Sequence, residues 1–82
     1  MLNKVILIGH LGNDPELKNS ESGSIATFSI ATTESWKDKD GNKKEQTEWH
    51  KCVVFGKRAD TVNMYCHKGS KLYVEGKIQY RM

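Results

Sequence analysis

Proline occurs once among these 82 residues, as Pro15, and cysteine and tryptophan occur twice each. Long apolar runs are missing too. The longest, Val5 to Ile8, is strand-sized, far short of the roughly 20 residues that span a bilayer as a helix. Neither a basic-then-apolar leader nor an Arg-rich amphipathic stretch stands ahead of it, so the expectation is a cytoplasmic protein without membrane contact. In that setting Cys52 and Cys66 are expected as reduced thiols rather than a disulfide. Together with His50 and His67 they offer four soft ligand atoms. However, no CxxC-type knuckle is present, and Cys66 and His67, adjacent on a helix, would point about 100° apart. Neither metal nor cofactor is expected. Catalytic signatures are also lacking: no nucleophile elbow, P-loop or acid–base dyad at a recognisable spacing accompanies the available His, Ser and carboxylate residues. A hydrophobic share of 37% limits so short a chain to one small domain with a modest core, for which oligomerisation is a common support.

The charge is uneven. The formal net charge is +3, but residues 51 to 82 hold seven basic and two acidic groups, whereas residues 1 to 50 hold six and eight. The second part therefore leans toward an anionic partner.

Asn3 to Gly9 reads as an apolar first strand, stopped by the turn-rich Gly9-His10-Leu11-Gly12-Asn13-Asp14-Pro15. The Gly9-x-x-Gly12 spacing matches the loop that clamps nucleic-acid backbone in KH domains. That loop joins two helices, so a glycine-bearing turn is the better reading. After a polar loop, Ser24 to Thr33 alternates as a half-buried strand with Ala26, Phe28 and Ile30 on one side. Asp40-Gly41, inside the charged stretch Ser35 to Glu45, predicts a hairpin whose strands project as a β-ribbon. A strand rich in aromatics follows. Lys57 to His67 changes to helical period with Ala59, Val62, Tyr65 and Cys66 as its stripe, and Gly69 is placed to stop it. Lys71 to Gln79 alternates again, with Leu72, Val74 and Ile78 inward.

Within the aromatic strand, Gln46 to Lys57, alternation puts Trp49, Lys51, Val53 and Phe55 on one face, two rings with a cation between them. Rings stack on any base and lysines neutralise phosphate, a combination suited to single-stranded nucleic acid. Aromatic and β-branched residues are also ordinary strand formers, so a plain half-buried strand is the competing reading. The order strand, strand, strand, helix, strand is that of an OB-fold without its last strand: all-β with one short helix, a five-stranded Greek-key barrel left incomplete.

Asn3-Lys4-Val5-Ile6-Leu7-Ile8-Gly9, Asp14-Pro15-Glu16, Glu34-Ser35-Trp36, Glu45-Gln46-Thr47-Glu48-Trp49-His50, Phe55-Gly56-Lys57, Lys68-Gly69-Ser70 and Tyr73-Val74-Glu75-Gly76, in this order and spacing, closely resemble the bacterial single-stranded DNA-binding proteins. The resemblance implies one OB-fold nucleic-acid-binding domain over residues 1–82, weakly sequence-selective binding of single-stranded DNA, and a homotetramer. It also implies work in DNA replication, recombination and repair. By position, Trp36 and Trp49 match the family's stacking tryptophans and Phe55 its stacking phenylalanine. Lys51, Lys57, Lys68 and Arg81 match basic residues along the DNA path, and Lys44 on the ribbon joins them. For each lysine, a solvated surface charge is the competing reading.

The pattern departs from the family at His10, where Asn is usual. It departs again at Met82, where the chain stops one position before another stacking tryptophan, the last hairpin and the final strand. Absent as well is the acidic-tipped C-terminal tail through which replication and repair proteins are recruited. The chain therefore reads as a fragment whose barrel is incompletely closed. The rival reading is a primosomal accessory OB-fold protein that chiefly bridges other proteins. Retention of Trp36, Trp49 and Phe55 together argues against it.

Overall fold

A computed structural model of the protein describes residues 1–80. The chain runs β1 (Val5–Leu11), β2 (Glu16–Ser20), β3 (Gly23–Lys37), β4 (Lys43–Phe55), α1 (Lys57–Tyr65) and β5 (Lys71–Gly76), in a single antiparallel sheet. One edge of β3 pairs with β4 along its whole length; its other edge pairs first with β2 and then with the end of β1. β5 lies on the far side of β1, from Val5↔Gly76 to His10↔Lys71. Among the described residues the outer edges of β4 and β5 have no strand partner, so the barrel is open there, as the sequence order implies.

Alternation builds the core. Ala26, Phe28 and Ile30 of β3 are buried together with Leu11 of β1, and Cys52, Val54, Val62, Cys66, Leu72 and Val74 pack around them. The helix α1 lies against this sheet chiefly over β3, with Ala59 fully buried. Gly9 is buried where β1 meets β3; a Cβ there would run into the Ala31 carbonyl and lie 2.7 Å from Ile30 Cγ2, so only glycine lets the strands close. The residue at 10, His10, is exposed on β1 and pairs with Ala31.

The ribbon is real and long. Thirteen register pairs link β3 to β4, from Ile25↔Phe55 to Lys37↔Lys43. The far end closes through Asp38, whose Oδ1 accepts the N–H groups of Asp40 (3.0 Å) and Asn42 (2.9 Å), with Gly41 at φ 81°. This projection explains a radius of gyration of 15.4 Å, against about 12 Å for a compact domain of this length.

Four expectations need correction. The first strand does not stop at Gly9 but runs from Val5 to Leu11, so Gly9 and His10 are ladder residues rather than part of a turn. The supposed polar loop before β3 contains β2, a short edge strand hydrogen-bonded from Glu16↔Thr27 to Ser20↔Gly23. Only Leu17 of it turns inward, so no alternation of apolar residues announced it. The helix stops at Tyr65, with Cys66 in extended backbone although its N–H still bonds the Val62 carbonyl; Tyr65, about 100° from Cys66 around the axis, is exposed rather than part of the inward stripe. The last strand ends at Gly76, and Ile78 is half-exposed, its N–H bonded to Asn3 Oδ1 (3.0 Å) instead of a ladder.

So few residues are fully buried that one truncation should be severe. Phe28→Ala should cost about 3–5 kcal/mol, a large part of the total stability of a small domain. Urea unfolding should show a midpoint close to zero denaturant.

Candidate nucleic-acid interface

The register of β3 and β4 decides which side chains meet. In an antiparallel pair opposite residues share a face, so Ala31↔Trp49, Ser29↔Lys51, Thr27↔Val53 and Ile25↔Phe55 form one surface. Its β4 half carries Trp49 at 62% and Phe55 at 50% exposure with Lys51 and Val53 exposed between them, while His50, Cys52 and Val54 alternate toward the core. Opposite these large groups β3 supplies mostly small or hydroxylated side chains. A shallow depression lined by Asn13, Glu16, Thr27, Phe28, Ser29 and Lys51 results. Same-face positions recur about every 6.8 Å along a strand, so Trp49 and Phe55 stand about 20 Å apart, too far for their rings to form one stack.

Trp36 belongs to the other face. It opposes Lys44, in line with Phe28 and Ile30 rather than with Ala31. On the ribbon that face has no core beneath it, and Trp36 is 46% exposed. The two tryptophans, equivalent by sequence, therefore occupy opposite sides of the ribbon where they arise, linked only by its twist.

Of the expected cations, Lys51 sits between the rings of Trp49 and Phe55. Lys57 is exposed at the start of α1, joined to Phe55 by Gly56, whose φ of 75° turns the chain from strand to helix. Lys68 is in the turn after α1, its backbone N–H bonded to Asp14 Oδ1 at 2.8 Å, which fastens that turn to the end of β1. Lys44 lies beside Trp36 with its Nζ 4.0 Å from Asp38 Oδ2. Arg81 lies outside the described residues. The cysteine–histidine set is otherwise engaged in part: His50 Nε2 is 2.8 Å from Thr32 Oγ1, and burial pushes the Cys52 thiol up from its ordinary value, which keeps it protonated at neutral pH.

Two features escaped the sequence reading. Lys37 faces Lys43 directly across the ribbon, a like-charge pair beside a turn in which Asp38 and Asp40 alternate with Lys39, and a hairpin register counted back from Asp40-Gly41 could have revealed it. The indole of Trp49 lies on Gly12: a Cβ at Gly12 would collide with Cζ3 and fall 2.9 Å from Cη2. Nothing local in the sequence joins these two residues, 37 positions apart.

The model of the single-strand binding protein family matches residues 2–82. The single-stranded DNA-binding protein 1 of Chlorobaculum tepidum is 53% identical over 81 residues, covering 98% of this chain and 50% of that protein. The single-stranded DNA-binding protein of Xylella fastidiosa is 52% identical over 80 residues, 96% of this chain and 49% of its own. The chain thus spans about half the length of the curated relatives it matches. Among solved structures, a Plasmodium falciparum SSB in complex with ssDNA superposes with a TM-score of 0.85 at 40% identity, covering 94% of this chain and 69% of that one. A deletion variant of the single-stranded DNA binding protein from Thermus aquaticus gives a TM-score of 0.84 at 30% identity, over 98% and 40% respectively.

The facing lysines generate a test that needs no ligand. Like charges directly opposite destabilise a strand pair by about 0.2–1 kcal/mol, so Lys43→Glu should slow hydrogen exchange of the ribbon amides near Ser35 and Glu45 by about 1.4- to 5-fold at low salt. The gain should vanish in concentrated salt, where exposed charges are screened.

Proposed function

This chain belongs to the single-strand binding protein family, whose members bind DNA rather than catalyse a reaction, and on that premise we propose that residues 1–82 form a single domain that binds single-stranded DNA with little sequence preference. Trp49 and Phe55 stack on bases, Lys51 between them neutralises phosphate, and Trp36 with Lys44 takes the strand onto the ribbon. Lys57, Lys68 and Arg81 extend the phosphate path. The observation that carries this reading is the pair of exposed rings flanking a lysine on one strand face. A structural strand has no use for two large rings held half out of water, whereas stacking rewards them with about 1–3 kcal/mol per base.

The wider role is protection of exposed strands in bacterial DNA replication, recombination and repair, in the cytoplasm with the nucleoid. The working form is a homo-oligomer, a tetramer as in the family. What supports self-association is β1: its edge from Val5 to Ile8 opposite β5 has no strand partner among the described residues. Its outer face shows Ile6 and Ile8 beside Tyr73, all exposed. Unpaired apolar edges are used up by pairing with another chain. Replication and repair proteins are reached through a C-terminal tail that lies outside this chain.

Titration of the tryptophan fluorescence with oligo(dT) tests the reading. Quenching should saturate, and log K should fall against log[salt] with a slope of about −0.7 per phosphate contact. Trp49→Ala and Phe55→Ala should each lose about 1–3 kcal/mol of affinity with the fold intact. Lys51→Ala should chiefly lower the salt slope, by about 0.7. Equal affinity for duplex, or indifference to salt, would contradict the proposal. Sedimentation should find a species larger than 9.3 kDa; a stable monomer would remove the argument from β1.

A further inference from the structure

We propose that Gly12 is a positioning residue for strand binding: its bare backbone leaves the room in which the benzo edge of the Trp49 indole is seated. The inference rests on the role proposed for Trp49. The benzo half of the ring is the part in contact, since Cζ3, Cη2 and Cε3 all crowd the place a Cβ would take, with Cε3 at 3.2 Å. A tryptophan that is 62% exposed would otherwise sample several rotamers, and ordering it on the DNA would oppose binding. Seating the ring beforehand removes that loss, which is how preorganisation raises affinity.

The seat itself cannot yield. The Gly12 N–H donates to the Ser29 carbonyl at 3.0 Å, and the Ser29 N–H donates to Asn13 Oδ1 at 3.2 Å, so the turn stays bonded to β3 after the β1 ladder has ended. On its other side Leu11 exchanges backbone bonds with the turn after α1: its N–H donates to Ser70 (2.9 Å) and its carbonyl accepts from Gly69 (2.9 Å). Asp14 adds the bond from Lys68. With the backbone bonded on both flanks, a methyl group at position 12 must displace the ring and not the turn. Gly9 differs: a Cβ there meets the Ala31 backbone and the buried Ile30, so its requirement is one of folding.

The test is a double-mutant cycle on the full chain, with affinity for fluorescein-labelled (dT) read by anisotropy and folding read by circular dichroism. Trp49→Phe removes the benzo half that touches Gly12 and keeps a ring. Stacking is worth about five- to 150-fold per base, and Gly12→Ala should lose about tenfold in the parent. In the Trp49→Phe background the same change should lose less than about twofold, the range expected of uncoupled sites. In a Trp36→Phe background, where Trp49 is the sole tryptophan, Gly12→Ala should also red-shift the emission and increase acrylamide quenching. Should Gly12→Ala fail to fold, Trp49→Phe should restore the fold. An equal loss in both backgrounds, no loss in a folded Gly12→Ala, or a misfolding that Trp49→Phe does not repair would overturn the role. Absence of (dT) binding by the parent, with the emission change still present, would overturn the proposed function and leave only the packing of the ring.

Discussion

The ladder between β3 and β4 is the constraint on which the rest depends. Because side chains alternate strictly along a strand, its register assigns each residue of both strands to one side. The same pairing that buries Phe28 and Ile30 over Cys52 and Val54 turns Trp49, Lys51, Val53 and Phe55 outward. A slip by one residue would turn Lys51 toward the core and Cys52 and Val54 toward water. Burial of a side chain such as Phe or Ile is worth about 1.5–3 kcal/mol, and it is this term that holds the outward face in place. The hydrophobic core and the presented aromatic surface are two readings of one register.

The two aromatic regions differ in support. Trp49 and Phe55 stand on the part of β4 backed by the core and, for Trp49, on the turn that Gly12, Asn13 and Asp14 fasten to β3 and to the loop after α1. Trp36 stands on a two-stranded projection whose side-chain bonds are surface ones, such as Thr33 to Thr47 at 3.0 Å and Ser35 to Glu45 at 3.4 Å. Near its end the ribbon carries the facing Lys37 and Lys43. Isolated hairpins are marginal in water. The body holds Trp49 and Phe55 against a core, whereas the ribbon carries Trp36 and its charges on two strands alone.

Most of this was legible where the chain obeys a simple period. Ala26, Phe28 and Ile30 announce β3, Leu72 and Val74 announce β5, and Asp40-Gly41 announces the ribbon turn. Each signal is local and strong. The segment Glu16–Ser20 was not legible, because an edge strand with one half-buried residue needs its neighbour's backbone and little from its own side chains. Ile78 misled because it continues the period past Gly76, where the ladder stops, and Tyr65 because it stands at the margin of the helical stripe rather than on it. The opposite placement of Trp36 and Trp49 follows from counting across the turn, so it depends on where that turn falls, between Lys37 and Lys43. The contact of Trp49 with Gly12 is tertiary, and no period within either segment encodes it.

The central claim is that one face of β4 carries the strand and the other faces the core. Val53 and Val54 are chain neighbours assigned to opposite sides, with Val53 exposed beside Trp49 and Phe55 and Val54 packed on the core. Methyl NMR of the protein bound to oligo(dT) compares them directly. The account predicts intermolecular Overhauser contacts from thymidine protons to the Val53 methyls and none to those of Val54. Contacts confined instead to Ile6, Ile8 and Tyr73, with Val53 silent, would contradict it.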